Sequence, residues 1–161
     1  MIDGYGRTID YVRISVTDRC NLRCVYCMPE EGVGSISHEE ILRFGEIERV
    51  CQILAENGIQ KIKLTGGEPL VRRRLPELAA ALKRIPGIKS LTITTNGVLL
   101  EEMYDALADA GVDSVTISLD TLDASVYRQL TRRDEIEAVR RGLRTAIQKG
   151  RMQIKINCVP V

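Results

Sequence analysis

The feature that most constrains the fold is a regular alternation of strand-like and helix-like segments along the 161 residues. Strand periodicity predicts five short strands, at Val12–Val16, Lys61–Thr65, Ser90–Thr94, Ser114–Leu119 and Gln153–Cys158. Helical periodicity predicts four helices between them, at about Glu39–Asn57, Pro76–Arg84, Glu101–Ala110 and Ile136–Lys149. Strand–helix–strand units at this spacing form right-handed crossovers, so the pattern predicts an α/β fold with a parallel sheet.

The segment before the first predicted helix carries the clearest boundary signals. Ser37 and Glu40 have the spacing of a capping box, and Gly58 suits the position after the last helical turn. His38 is the only histidine, and its place inside this capping sequence predicts a surface residue. The apolar residues of the helix recur at helical spacing and predict a buried stripe of Ile47, Val50, Cys51 and Leu54.

Within each predicted strand, apolar residues alternate with polar ones, whereas parallel strands covered on both faces are nearly continuous apolar runs. The polar face carries Arg13, Lys63 and Lys155, and burying these cations unpaired would be costly. The pattern therefore favours a curved sheet, a barrel or partial barrel whose polar interior lines a ligand cavity. An open sheet with one solvated face is the alternative. The inward cations indicate an anionic ligand such as a phosphate ester.

Distinctive segments follow four of the predicted strands at their carboxyl ends. These segments are Cys20–Cys27, Thr65–Leu70, Thr94–Gly97 and Ser118–Asp120. In α/β barrels the carboxyl ends of the strands form the active-site face. The four segments are therefore predicted to meet at one functional site.

Three cysteines lie in one loop with C-x3-C-x2-C spacing: Cys20, Cys24 and Cys27. Three thiolates can hold a metal centre but leave one position of a four-ligand shell open, which is typical of catalytic sites. A structural zinc site is the alternative, and it would need a fourth ligand at regular spacing. Cys51 and Cys158 lie outside this loop and are predicted to be buried free thiols.

Composition and charge exclude several other classes. The net charge of +1 gives no general attraction to nucleic acid or to a membrane surface. No apolar run is long enough to span a bilayer, and residues 1–6 lack the apolar core of a secretory signal. We therefore expect a cytoplasmic protein with no nucleic-acid or membrane partner. In that reducing compartment, five cysteines indicate metal or redox chemistry rather than disulfides.

The cysteine loop followed by Gly66-Gly67-Glu68-Pro69 resembles the radical S-adenosyl-L-methionine (SAM) superfamily. The resemblance implies a 4Fe–4S cluster on Cys20, Cys24 and Cys27, with SAM bound to the open iron. One-electron reduction would then cleave SAM to methionine and a 5′-deoxyadenosyl radical. It also implies that the fold is a partial TIM-like barrel of parallel strands with outer helices.

A closer resemblance is to the N-terminal half of the GTP 3′,8-cyclase family of molybdenum cofactor biosynthesis. The segments that carry it are Asp10–Pro29, Lys63–Leu70, Thr94–Gly97, Ser118–Asp120 and Ile154–Val159. It implies a lyase that converts GTP to (8S)-3′,8-cyclo-7,8-dihydroguanosine 5′-triphosphate. The residues implied to line the SAM site are Tyr26, Gly67 and Ser118. Those implied to bind GTP are Arg13, Lys63, Thr94 and Lys155.

The resemblance also implies partners, and this chain departs from the family pattern in two respects. The partners are GTP, an electron donor for the cluster and a downstream cyclic pyranopterin monophosphate synthase. Lys63 stands where the family usually has arginine, so it keeps the charge but loses the bidentate fork for phosphate oxygens. Family members continue into a C-terminal domain with a second three-cysteine cluster.

We therefore expect residues 1–161 to be one radical SAM core domain truncated after about strand five, without that C-terminal domain. The open last strand would favour association, for example into a homodimer. Another radical SAM maturase and a non-catalytic metal-binding fragment are the alternative functions.

Overall fold

The computed structural model describes residues 2–34, 37 and 40–159. Five parallel strands form one sheet in chain order: β1 (Tyr11–Ser15), β2 (Lys61–Thr65), β3 (Ser90–Thr95), β4 (Ser114–Ser118) and β5 (Gln153–Asn157). The helices are α1 (Phe44–Glu56), α2 (Leu75–Lys83), α3 (Leu100–Asp109), α4 (Ala124–Thr131) and α5 (Ile136–Lys149), with a short 3-10 helix at Pro69–Val71. Within the described residues β1 and β5 do not pair, so the sheet does not close. The predicted partial TIM-like barrel is confirmed.

The helices cover only the apolar face of the sheet. The buried strand residues are Ile62, Leu64, Leu91, Ile93, Val115 and Ile117. They belong to one core with helix residues that include Leu78, Leu82, Leu100, Leu107 and Val139. Each fully buried aliphatic side chain of this kind contributes about 1.5–3 kcal/mol. The strand ends that follow are therefore held on a rigid scaffold.

The opposite face of the sheet is polar and uncovered, as the alternation predicts. One cross-strand row contains Arg13, Lys63 and Thr92 at matching register on β1, β2 and β3. A second row contains Thr94, Thr116 and Lys155 on β3, β4 and β5. All six of these residues are half-buried or exposed. A ligand on this face would meet threonine hydroxyls flanked by cations.

The predicted start of the first helix is wrong, because α1 begins at Phe44 rather than near Glu39. The amide of Arg43 donates a hydrogen bond to Glu46 Oε2 at 2.6 Å, so the side chain of Glu46 caps the amino end of α1 at this position. Glu39 itself lies outside the described residues, and so does His38, whose predicted surface position stays a prediction. The other predicted boundaries agree with the structure within one residue.

Ser37 and Glu40 do interact, but in a separate turn before the helix, where Ser37 Oγ donates to Glu40 Oε2 at 3.0 Å. The predicted apolar stripe of α1 is confirmed only in part. Ile47 and Cys51 are buried, and Leu54 is half-buried, whereas Val50 is exposed. The buried stripe of α1 is therefore narrower than the helical period suggests.

The two cysteines outside the loop differ in environment. Cys51 is fully buried as predicted, and burial raises the pKa of its thiol to about 11. The prediction for Cys158 is wrong, because its side chain is exposed. Cys158 follows β5, an edge strand that has a neighbour on one side only. Its thiol lies 3.5 Å from the carbonyl oxygen of Asp120.

Helix α4 is absent from the sequence prediction, although a capping signal marks its start. Asp123 Oδ1 accepts hydrogen bonds from the amides of Ser125 at 2.8 Å and Val126 at 2.9 Å. An aspartate in this position is a strong N-terminal cap. At eight residues, α4 is too short for helical periodicity to stand out.

Removing the hydroxyl of Tyr104 is expected to destabilise the fold. This fully buried hydroxyl donates to Ala146 O and accepts from the amides of Arg151 and Met152. Tyr104→Phe leaves the two amides without this acceptor, at an expected cost of about 1–3 kcal/mol in the free energy of unfolding. Urea unfolding measures it. Tyr5→Phe, at a highly exposed ring, is the matched control, and equal stabilities would refute the role of this hydroxyl.

Candidate functional site

The three-cysteine loop follows β1 and rests on the carboxyl end of α4. The amide of Arg23 donates to Thr131 O at 3.0 Å, and the amide of Val25 donates to Leu130 O at 2.8 Å. The last carbonyls of a helix have no partner within the helix. The cysteine loop supplies those partners, so a helix absent from the sequence prediction supports the predicted metal ligands.

Two guanidinium groups hold the carbonyl oxygens of the same loop. Arg23 Nη1 donates to Cys20 O at 2.7 Å and to Leu22 O at 2.8 Å. Arg132 Nη1 donates to Met28 O at 3.1 Å and to Arg23 O at 3.3 Å. The loop backbone is therefore fixed by charged donors on both sides of its cysteines.

The end of β2 contacts the start of the cysteine loop, backbone against backbone. The amide of Gly67 donates to Thr17 O at 2.7 Å, and the amide of Glu68 donates to Arg19 O at 2.7 Å. A Cβ atom at Gly67 would lie 2.3 Å from Arg19 O, closer than atoms approach in proteins. Gly67 therefore has a packing reason to be glycine, independent of its predicted place in the SAM site.

Glu68 is buried, with 1% of its surface exposed, and its carboxylate ties β2 to β3. Its Oε1 accepts from Thr95 Oγ1 at 2.7 Å and from the amide of Leu70 at 2.9 Å. Its Oε2 accepts from the amide of Asn96 at 2.7 Å. Burial raises the pKa of Glu68, and these hydrogen bonds act in the opposite direction.

Asn96 extends this network from β3 to the cysteine loop. Its Nδ2 donates to Asn21 Oδ1 at 2.7 Å and lies 3.9 Å from Cys20 Sγ. Neither Glu68 nor Asn96 is among the predicted site residues. Their presence in the strand-end segments was the available signal, but only the structure shows the contacts.

Tyr26 and Ser118, two of the predicted SAM-site residues, lie together at the end of β4. They line a small cavity of about 50 Å³ that Cys24 also lines. Tyr26 Oη donates to Asp120 Oδ2 at 2.6 Å. Burial and then this hydrogen bond raise the pKa of Tyr26 well above its ordinary value. Asp120 Oδ1 also accepts from the amide of Val159, so Asp120 links the cysteine loop to the chain after β5.

The thiols of Cys20 and Cys24 are half-buried, and that of Cys27 is exposed. Burial raises the pKa of Cys20 most, and the charge of the nearby Glu68 carboxylate raises it further. Burial also raises the pKa of Cys24 most, and the charges of the other two cysteines of the loop raise it further. Among residues 2–34, 37 and 40–159, no three Cys, His, Asp or Glu side chains converge as a metal ion would require.

Two polar atoms beside the cysteines support an iron–sulfur cluster. The hydroxyl of Tyr127 and Nε of Arg23 are buried and have no hydrogen-bond partner among the described residues. Tyr127 lines the same cavity as Cys24, and burial and then the charge of Cys24 raise its pKa. Soft thiolates favour iron–sulfur clusters, whose sulfur atoms accept hydrogen bonds. The residues present therefore fit a cluster held by three cysteines.

The four predicted GTP residues all lie on the uncovered sheet face. Arg13 and Lys63 are neighbours at matching register on β1 and β2. Thr94 and Lys155 lie in one row on either side of Thr116. No ion pair within the described part of the chain neutralises the three cations. Their charges are therefore available to an anionic ligand.

A family profile identifies the class of protein. The profile of the radical SAM superfamily matches residues 14–161, which is most of the chain. The chain therefore belongs to the radical SAM superfamily. Enzymes of this family use a 4Fe–4S cluster and SAM, in agreement with the donor set of the cysteine loop.

Several similar curated proteins carry the name GTP 3′,8-cyclase. The protein from Pelotomaculum thermopropionicum is 53% identical over 159 residues, which are 99% of this chain and 49% of that protein. The protein from Alkaliphilus metalliredigens is 44% identical over 161 residues, which are 100% of this chain and 50% of that protein. This chain thus spans about half the length of the relatives it matches, and it corresponds to their N-terminal part.

Solved structures show the same fold. Streptococcus suis SuiB bound to S-adenosylmethionine has a TM-score of 0.75 at 23% identity, covering 92% of this chain and 33% of that one. The structure of anSMEcpe with bound AdoMet has a TM-score of 0.72 at 21% identity, covering 92% of this chain and 43% of that one. At these identities the likeness concerns the fold alone.

Glu68→Gln is expected to destabilise the chain. Both carboxylate oxygens accept from backbone amides, so the glutamine NH2 group must face a donor in either orientation. Hydrogen bonds to charged groups are worth about 1.5–3 kcal/mol, and we expect a loss of that order in urea unfolding. Glu77→Gln is the matched control, because Glu77 is exposed and pairs only with Arg74 on the surface. Equal stability of the two variants would contradict the role given to Glu68.

Proposed function

We propose that this chain is the SAM-cleaving part of a GTP 3′,8-cyclase, a lyase of molybdenum cofactor biosynthesis. The observation that carries the proposal is the position of the three-cysteine loop, at the carboxyl end of an uncovered sheet face that presents unpaired cations. The names of the similar proteins agree with it. The activity of the whole enzyme is part of the proposal, because this chain spans about half of those relatives.

In the proposed enzyme, Cys20, Cys24 and Cys27 hold a 4Fe–4S cluster with one open iron for SAM. When bound, the reduced cluster would supply the electron that cleaves SAM to methionine and a 5′-deoxyadenosyl radical. Tyr26 and Ser118 line the SAM site, which their shared cavity with Cys24 supports. Gly67 also lines it and lets the backbone approach closely, as its contact with the loop illustrates.

The substrate in this proposal is GTP, bound on the uncovered face of the sheet. Arg13, Lys63 and Lys155 neutralise the triphosphate, and Thr94 supplies a hydroxyl within the same face. The 5′-deoxyadenosyl radical would take a hydrogen atom from the ribose C3′ and become 5′-deoxyadenosine. The C3′ radical would then bond to C8 of guanine and open the C8–N7 double bond, and one electron from the electron donor and one proton at N7 would complete the 7,8-dihydro product. Lys63 offers one ammonium group where an arginine would offer a bidentate fork. Its contact with a phosphate is therefore less directional than that of an arginine.

We further propose a cytoplasmic enzyme that receives its electron from a separate donor and passes its product to a cyclic pyranopterin monophosphate synthase. Helices in the described segments are too short or too polar to cross a membrane. In the whole enzyme, a C-terminal domain with a second three-cysteine cluster binds the guanine. The open edge strand β5 leaves room for that part or for a second copy in a homodimer.

Cluster formation is expected to depend on the loop cysteines alone. After anaerobic incubation with iron and sulfide, the wild type should hold about four iron atoms per chain, and with dithionite and SAM it should form 5′-deoxyadenosine. Cys24→Ser should lose most of the iron, because a serine hydroxyl is a poor iron ligand. Cys158→Ser, at an exposed cysteine outside the loop, should keep it. Tightly bound zinc without iron uptake would instead identify a non-catalytic metal-binding fragment.

GTP is expected to bind through the cations of the sheet face. It should raise the thermal midpoint of the wild type, and Lys155→Ala should weaken binding about tenfold or more, because a hydrogen bond to a charged group contributes about 1.5–3 kcal/mol. Lys89→Ala is the control, since Lys89 is exposed and precedes β3 at the opposite end of the sheet. A shift with SAM but none with GTP would favour another radical SAM maturase.

A further inference from the structure

Arg132 occupies an unusual backbone conformation at the end of α4. Its φ is 55°, in the left-handed region, and it forms the C-terminal cap of the helix. Glycine is the usual residue there, because a side chain makes this conformation unfavourable. Among the described residues other than glycine, only Arg74 shares a positive φ, at 64°. Something other than backbone preference therefore explains an arginine at position 132.

The side chain of Arg132 supplies that explanation. One nitrogen, Nη1, lies 3.3 Å from Arg23 O and 3.1 Å from Met28 O. These two carbonyls flank the segment that contains Cys24 and Cys27. A single guanidinium thus joins both ends of the segment that carries two of the three proposed cluster ligands.

We propose that Arg132 is a positioning residue that holds segment 23–28 closed, so that Cys24 and Cys27 keep the spacing the cluster requires. The backbone bonds from Arg23 and Val25 to α4 hold only the first half of this segment. Arg132 adds the contact after Cys27, at Met28. This role rests on the proposed cluster. The two hydrogen bonds of Arg132 to Arg23 O and Met28 O, which we call the Arg132 clasp, exist in the polypeptide and can be tested without iron.

Arg132→Gly separates the clasp from the stability of the fold. Glycine adopts the left-handed conformation without the steric cost of a side chain, so the relief of strain offsets part of the lost side-chain contact. We expect the thermal midpoint of the cluster-free variant to stay within about 5 °C of the wild type. Removing groups that orient metal ligands usually lowers metal affinity about 10- to 100-fold, and we expect cluster loss to an iron chelator to become faster by a similar factor. Arg132→Lys, which retains a charge but not the planar fork, should be intermediate.

Arg74→Gly is the matched control. It relieves the same kind of backbone strain, and Arg74 contacts Glu77 on the surface rather than the cysteine loop. Its rate of iron loss should equal that of the wild type. Equal rates in the wild type and Arg132→Gly would overturn the proposal, as would a fall of more than about 10 °C in the midpoint of Arg132→Gly, which would indicate a role in the fold.

Amide hydrogen exchange in the cluster-free chain provides a readout that does not involve the cofactor. Exchange at Arg23 and Val25 should be at least about fivefold faster in Arg132→Gly than in the wild type, because their loop opens more often. Exchange at Val16, whose amide bonds to Thr65 O, should be unchanged. Unchanged exchange at Arg23 and Val25 would overturn the proposal. If the wild type binds no iron but Arg23 and Val25 still exchange faster in Arg132→Gly than in the wild type, the cluster is refuted and the structural role of Arg132 is kept.

Discussion

The site depends on one backbone contact, the approach of the turn after β2 to the start of the cysteine loop. Gly67 and Glu68 donate to the carbonyls of Thr17 and Arg19, and the lack of a side chain at Gly67 makes this approach possible. The contact also directs the Glu68 carboxylate into the core. There it accepts hydrogen bonds from Thr95 and Asn96 at the end of β3. Through this chain of contacts, three strand ends hold the cysteine loop in one place.

The polar face of the sheet explains why the fold is built as part of a barrel. Helices cover the apolar face, but covering the other in the same way would bury Arg13, Lys63 and Lys155 without partners. A curved sheet keeps these charges on an open inner surface, next to the loop that carries the thiols. In the proposed enzyme, the cluster-binding loop and the anion-binding sheet face would therefore share one surface.

Much of the fold could be predicted from sequence, because strand alternation and helical spacing are local patterns. The predicted bounds of all five strands agree with the structure within one residue, and so does the polar face that carries Lys155. Competing signals explain the exceptions. The capping pattern of Ser37 and Glu40 forms its own turn, and α4 is too short for its period to be evident. The burial that the sequence predicts for Cys158 is wrong because a strand pattern does not show which strand lies at an edge.

The site was predictable only where motifs mark it. The cysteine loop follows from its position at a strand end, and the family resemblance implies that Tyr26 and Ser118 line the SAM site. The structure brings Cys24, Tyr26 and Ser118 to one cavity. The sequence places Asp120 in a strand-end segment but does not show its contact with Tyr26, and it gives no signal for Arg132. Both side chains act through contacts with residues about one hundred positions away in the chain. Arginine after a helix and aspartate after a strand are common, and only the folded chain shows what each of them holds.

The most direct test of the central claim is electron paramagnetic resonance of the reduced, reconstituted chain with and without SAM. If Cys20, Cys24 and Cys27 hold a 4Fe–4S cluster with one open iron, SAM binding to that iron should change the g-values and line shape of the reduced cluster. A cluster signal that SAM leaves unchanged, or a chain that forms no such cluster, would contradict the account.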